Sequence, residues 1–199
     1  MQPKILLSMI MLCLCLSLPG LADITESYTA EARYDFGTAL RVMQELAAAE
    51  PTEPFYQVRL AWLQYLSGQY KDAIATYQKS IALLDNLDAH IGIINSQLAL
   101  GNYSEAIRLA DVQLAVHKQN PTLYSKAAYA AWMMKDYAKA VAYYQSAIAI
   151  YPWDMEARGY LVNNLYLAGN HKEAKEQFLL LKKYYPKSPI IEQYKDILK

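Results

Sequence analysis

Cysteine is nearly absent. The two in this 199-residue chain, Cys13 and Cys15, both lie in the first 22 residues. The rest of the chain can hold no disulfide and no thiolate metal site. An excess charge of either sign is also missing. There are 19 basic and 19 acidic residues, and no run of like charge exceeds two or three, so the basic footprint of a nucleic-acid binder is not there. Glycine numbers seven and histidine three. No glycine-rich phosphate loop, no HExxH and no GxSxG occurs, and His90, His117 and His171 stand too far apart in sequence for metal-ligand spacing. These absences predict no cofactor, no metal and no catalytic residue.

Residues 1–22 differ from everything after them. Lys4 provides a positive start, an apolar run follows from Ile5 to Leu18, and Pro19 and Gly20 break it. The run is short for a bilayer span, and Gly20 and Ala22 are small residues where a signal peptidase reads. The expectation is a secretory signal cleaved before Asp23, which would leave the chain periplasmic or secreted with no stable membrane span. The alternative is an uncleaved N-terminal anchor. Leu12 and Leu14 precede the cysteines where a lipoprotein signal needs a small residue.

What the chain has in quantity is alanine and tyrosine at a fixed period. Ala39, Ala73, Ala106, Ala140 and Ala174 recur at spacings of 34, 33, 34 and 34 residues. Each sits in one local phrase, such as GQYKDAIATYQKSI at 68–81 or KDYAKAVAYYQSAI at 135–148. A Gly ends the preceding helix, with Lys135 in that slot in the third copy. An aromatic follows (Tyr70, Tyr103, Tyr137), then the alanine. Four residues on, a large ring (Tyr77, Tyr144, Phe178) shares its helix face. Pro51, Pro121, Pro152 and Pro186 separate the units.

A helix–turn–helix phrase at this period resembles the tetratricopeptide repeat family. The resemblance implies an all-α, right-handed α-solenoid with units at about 54–86, 87–120, 121–154 and 155–188. Residues 23–53 read as a degenerate N-terminal repeat. Residues 189–199 read as a C-terminal capping helix, with Ser188 as its N-cap and Pro189 at its first position. Carried over from the family, the small residues where paired helices touch are Ala61, Ala73 and Ser80 in the first copy and Ala128, Ala140 and Ala147 in the third. The second copy departs from the pattern. Ala110 replaces the ring, Gln113 replaces the late small residue, and Gly92 interrupts the first helix, so packing there is expected to be weaker.

The resemblance further implies a concave groove lined by the first helix of each repeat. Its slots are one helical face. On this chain the first copy places Arg59, Trp62 and Tyr65 there, and the second places Asn95. The third contributes Lys126, Tyr129 and Trp132, and the fourth Tyr160, Asn163 and Tyr166. Such an aromatic face with polar handles suits a protein or peptide partner, with Asn95 and Asn163 bonding a peptide backbone and Arg59 and Lys126 meeting a carboxylate. For any one ring, packing between neighbouring helices is the alternative. The carboxylate clamp of chaperone-binding members does not fit. Asn95 matches its pattern, but Ile91, Lys126, Glu156 and Tyr160 do not. The function expected is a protein-interaction scaffold or assembly adaptor in the cell envelope. The alternatives are a self-assembling homo-oligomer and, less favoured, a ligand-binding or enzymatic subunit.

Overall fold

A computed structural model describes residues 23–199, and the signal expected at 1–22 lies outside them. The described residues form eleven helices: α1 (Ile24–Ala32), α2 (Phe36–Ala49), α3 (Pro54–Leu66), α4 (Tyr70–Leu83), α5 (Leu87–Ala99), α6 (Tyr103–Val116), α7 (Pro121–Met133), α8 (Tyr137–Ile150), α9 (Met155–Leu167), α10 (His171–Tyr184) and α11 (Pro189–Tyr194). No helix among the described residues is long and apolar enough to cross a membrane.

Local chemistry sets the helix ends. Side chains of Asp23, Asp35, Glu53, Asn86, Asn120, Asp136 and Asp154 each accept a bond from a free N–H in the following first turn, which satisfies donors the helix leaves unpaired. Every first helix closes in the same way. The N–H groups of Asp35, Gln69, Asn102, Asp136 and Asn170 reach back to the carbonyls of Ala30, Gln64, Gln97, Ala131 and Leu165, at 2.8–2.9 Å. That closure needs a left-handed residue just before the donor. Gly68, Gly101 and Gly169 take it, at φ +76°, +77° and +82°, but Tyr34 and Lys135 take it too, at +61° and +62°. A left-handed residue with a Cβ is strained by about 1–2 kcal/mol, part of which glycine returns through its freer unfolded chain. Lys135→Gly is therefore expected to stabilise the protein by about 0.5–1 kcal/mol, read as a rise in the urea midpoint at unchanged slope.

The period alanines are the register of the packing. All five, with Ala61, Ala128, Ala147 and Ser80, have no solvent exposure. Ser80 also donates to the Pro54 carbonyl at 3.1 Å, tying α4 to the start of α3. Around these close contacts lie four overlapping apolar clusters that run along the chain, each joining neighbouring helix pairs. Such a core is nearly one-dimensional, and its stability is a sum of neighbour terms. First helices also meet across units, α3 with α5 and α5 with α7. They form the inner layer of an α-solenoid, and the second helices form the outer one.

Two expectations are corrected. Gly92 does not loosen the second copy. The Tyr77 ring of the preceding helix, 2% exposed, fills the space where a Gly92 side chain would stand, and a Cβ there would come within 2.1 Å of the Tyr77 Cζ. The cost of glycine in a helix is offset by the ring packed in the place of its side chain. Ser188 stands at the N-cap of α11 as expected, yet its side chain makes no capping bond. The hydroxyl is buried instead, and α11 is a six-residue helix rather than one reaching the chain end. Tyr194 and Leu198 still cover the last apolar face, both nearly fully buried against α9 and α10.

Within the second copy the helix pair packs more loosely. α5 and α6 touch along a shorter stretch than α3–α4 or α7–α8. Half-buried Gln113 holds the slot filled by Ser80 and Ala147 in the flanking copies. Among the interior repeats the fastest amide exchange is expected at 87–117, in α6 above all, because opening one unit breaks mainly its own contacts. Uniform protection along 54–188 would contradict this.

Candidate functional site

The first helices present their groove slots on one inner face, and the ten expected residues divide there into three groups. At the N-terminal end, Arg59 pairs with the Glu31 carboxylate of α1, and its guanidinium lies 4.9 Å from the Tyr28 ring centre. Trp62 donates its indole N–H to the same carboxylate at 2.8 Å and stacks on Tyr65 at 5.6 Å, which in turn meets Tyr70. The carboxylate expected for Arg59 is thus supplied within the chain. Arg59 and Trp62 fasten α1 to α3 and Tyr65 joins α3 to α4, although Arg59 and Trp62 still line one wall of a cavity.

At the C-terminal end, Asn163 accepts a bond from the Tyr194 hydroxyl at 2.8 Å. Tyr166 packs between His171 and Tyr194, at 4.8 and 5.0 Å. These two side chains hold the capping helix, and the Asn163 amide oxygen is occupied.

The middle of the face is open. Tyr129 is 41% exposed, Tyr160 46% and Trp132 36%. Tyr129 meets Trp132 at 5.8 Å, and Tyr160 stacks on buried Tyr144 at 5.7 Å and donates to Glu156. Burial, then the neighbouring Tyr70 and Tyr129, push the Tyr65 hydroxyl above its ordinary value. Burial, then Glu156 and Tyr129, do the same at Tyr160. Lys126, one turn before Tyr129, is half-buried and forms no ion pair or side-chain hydrogen bond among the described residues. Burial lowers its pKa, so a partner's anion would be welcome there.

Two cavities follow from this layout. One, of about 360 Å³, lies between α7 and α9 and is lined by Lys126, Tyr129, Tyr144, Glu156 and Tyr160, with Leu98 of α5 beside them. The other, of about 560 Å³, lies between α3 and α5 and is lined by Phe55, Val58, Arg59, Trp62, Asp88 and Asn95. Asn95 is half-buried and opens into it. Both are of the size that binding sites have. Both mix apolar walls with a few polar groups, the first lined by Lys126 with Glu156 and Asp154, the second by Asp88 and the occupied Arg59.

Sequence reasoning missed Glu31 and Tyr28, because the degenerate first unit offered no register from which to assign groove slots. It also missed Tyr144, assigned to the core, whose ring forms the floor under Tyr160.

Tetratricopeptide repeat family models match residues 131–193 and 56–83. No curated protein matches the sequence. Among solved structures, MamA 41-end from Desulfovibrio magneticus RS-1 is 20% identical, with TM-score 0.71, over 82% of this chain and 93% of its own. PilW, described as a widely conserved type IV pilus biogenesis factor, is 14% identical with TM-score 0.76 over 85% of this chain and 79% of its own. YrrB, described as a tetratricopeptide repeat protein with an unusual peptide-binding site, is 11% identical with TM-score 0.68 over 87% of this chain and 90% of its own. At these identities the likeness is one of fold.

Proposed function

The chain belongs to the tetratricopeptide repeat family, and we propose that it is a protein-interaction scaffold whose inner face binds an extended segment of a partner protein. The observation that carries this is the open middle of the groove. Two exposed rings, Tyr129 and Tyr160, line one cavity with a half-buried lysine that has no partner of its own, and exposed Trp132 packs beside Tyr129. Trp and Tyr side chains in a recessed, partly desolvated setting are what binding hot spots are made of. Asn95 supplies a free amide for the backbone of the bound segment in the adjacent cavity.

Arg59, Trp62, Asn163 and Tyr166 have a supporting role in this reading. They fix the two ends of the groove, so that its middle is preorganised and less ordering entropy is lost on binding. A scaffold of this kind requires neither a cofactor nor a catalytic residue. Its place is the cell envelope, on the strength of the export signal read at residues 1–22.

The test is retention of proteins from an envelope extract on the immobilised chain, compared with Tyr129→Ala and Tyr160→Ala. The same partner should be retained by the wild type and lost by both variants at unchanged circular dichroism. Retention that survives both changes would remove the groove from the account. Sedimentation of the purified chain as a stable oligomer, abolished by the same two changes, would favour self-assembly through this face.

A further inference from the structure

A second surface lies outside the groove, at the edge where each outer helix turns into the next unit. The last two such turns carry exposed rings: Tyr151 and Trp153 after α8, Tyr184 at the end of α10 and Tyr185 just past it, between 47% and 63% exposed. They form one patch, for Trp153 meets Tyr184 edge-on at 5.8 Å. The same turns in the earlier units hold Leu84 and Asp85, then His117 and Lys118, so the aromatic character belongs to the C-terminal half.

Basic side chains outnumber acidic ones around these rings. Lys182, Lys183 and Lys187 flank them and form no ion pair among the described residues. The Lys183 ammonium lies 5.0 Å from the Tyr184 ring centre. Beneath the patch, Arg158 is 9% exposed and has no carboxylate partner. It donates to the Pro152 carbonyl at 2.8 Å and to the Gln177 side chain, which fixes the loop that presents Tyr151 and Trp153. Its Nε stays without a bond. The nearby carboxylate of Asp154 is engaged in capping α9, and Glu176 stands two turns back along α10.

We propose that this edge docks on an anionic phospholipid surface. Trp and Tyr rings partition to the headgroup layer, where an apolar body and a polar tip are both satisfied. Lysine stems lie along apolar surface while their ammonium groups reach phosphates. A patch built of these two residue types, with a buried cation behind it, is complementary in charge to acidic headgroups. The inference is independent of the groove, whose open rings lie on the inner helices.

Co-sedimentation of the full chain with vesicles tests it, using phosphatidylcholine alone and phosphatidylcholine mixed with phosphatidylglycerol. Residues 1–22 are common to all variants, so the readout is the preference for the anionic mixture. Wild type should prefer the mixture. At about 1 kcal/mol for each lysine near such a surface, Lys182→Ala, Lys183→Ala and Lys187→Ala together should reduce that preference by about a hundredfold. Trp153→Ala with Tyr184→Ala should weaken binding to the mixture, and Tyr129→Ala should leave it unchanged. All these side chains are exposed, and circular dichroism checks that each variant folds. Equal binding of wild type to both vesicle types would overturn the proposal. So would a triple lysine variant that retains the preference, or patch variants that lose an acidic protein partner yet keep their vesicle binding.

Discussion

Replacing Tyr77 with Ala is expected to cost about 3–5 kcal/mol of stability, the range for removing a large buried side chain, and to reverse the effect of a second substitution fifteen residues away. In the wild type, Gly92→Ala should destabilise by about 1–3 kcal/mol, because the new methyl meets a nearly fully buried ring. Helix propensity alone predicts the opposite, a gain of about 0.5–1 kcal/mol. Once Tyr77 is an alanine the clash is gone, so Gly92→Ala should become neutral or stabilising. The coupling is read from urea denaturation of the two single variants and the double variant. A gain in stability from Gly92→Ala in the wild-type background would show that the Tyr77 ring is not held against that glycine.

The second large effect concerns binding and separates two kinds of aromatic residue on one face. Tyr129 projects from the middle of the groove, and its removal should cost about 2 kcal/mol of partner affinity, roughly a 30-fold rise in Kd. The unfolding transition should hardly move. Trp62, a neighbour on the same face, should behave in the reverse sense. Its indole is bonded to Glu31 and stacked on Tyr65, so Trp62→Ala should loosen α1 and lower stability by about 3 kcal/mol. Its effect on affinity, corrected for the folded fraction, should be the smaller one. A titration and a melting curve for each variant decide this.

These contrasts also show where sequence reasoning stops. The period alanines, the ring slots and the glycine turns are local in sequence and recur four times, so each copy supports the reading of the others. The groove slots followed from the same register. What the register could not supply was the partner of each slot. Glu31 lies 28 residues from Arg59 and 31 from Trp62, in a unit too degenerate to align, and its carboxylate turns two expected binding residues into a structural joint. Gly92 looked like a defect because its reason is a ring contributed by the previous repeat. Asn163 and Tyr166 looked free because the capping helix that engages them follows no repeat pattern. Arg158 gave no signal at all: an arginine in a first helix is ordinarily solvated, and only the packing of Gln177 and the Pro152 carbonyl around it explains its burial. The repeat pattern dictates the scaffold, while side-chain pairings between units determine which parts of the face stay open.

The central claim is that the open middle of the inner face receives a partner. It is tested most directly by placing a photo-crosslinking residue at position 129 and, as a reference, at position 112, where Val112 is exposed on the second helix of its copy. Irradiation of cells producing the protein should join a single partner protein to the chain through position 129 and nothing comparable through position 112. The same adduct from position 112, with none from position 129, would contradict the account.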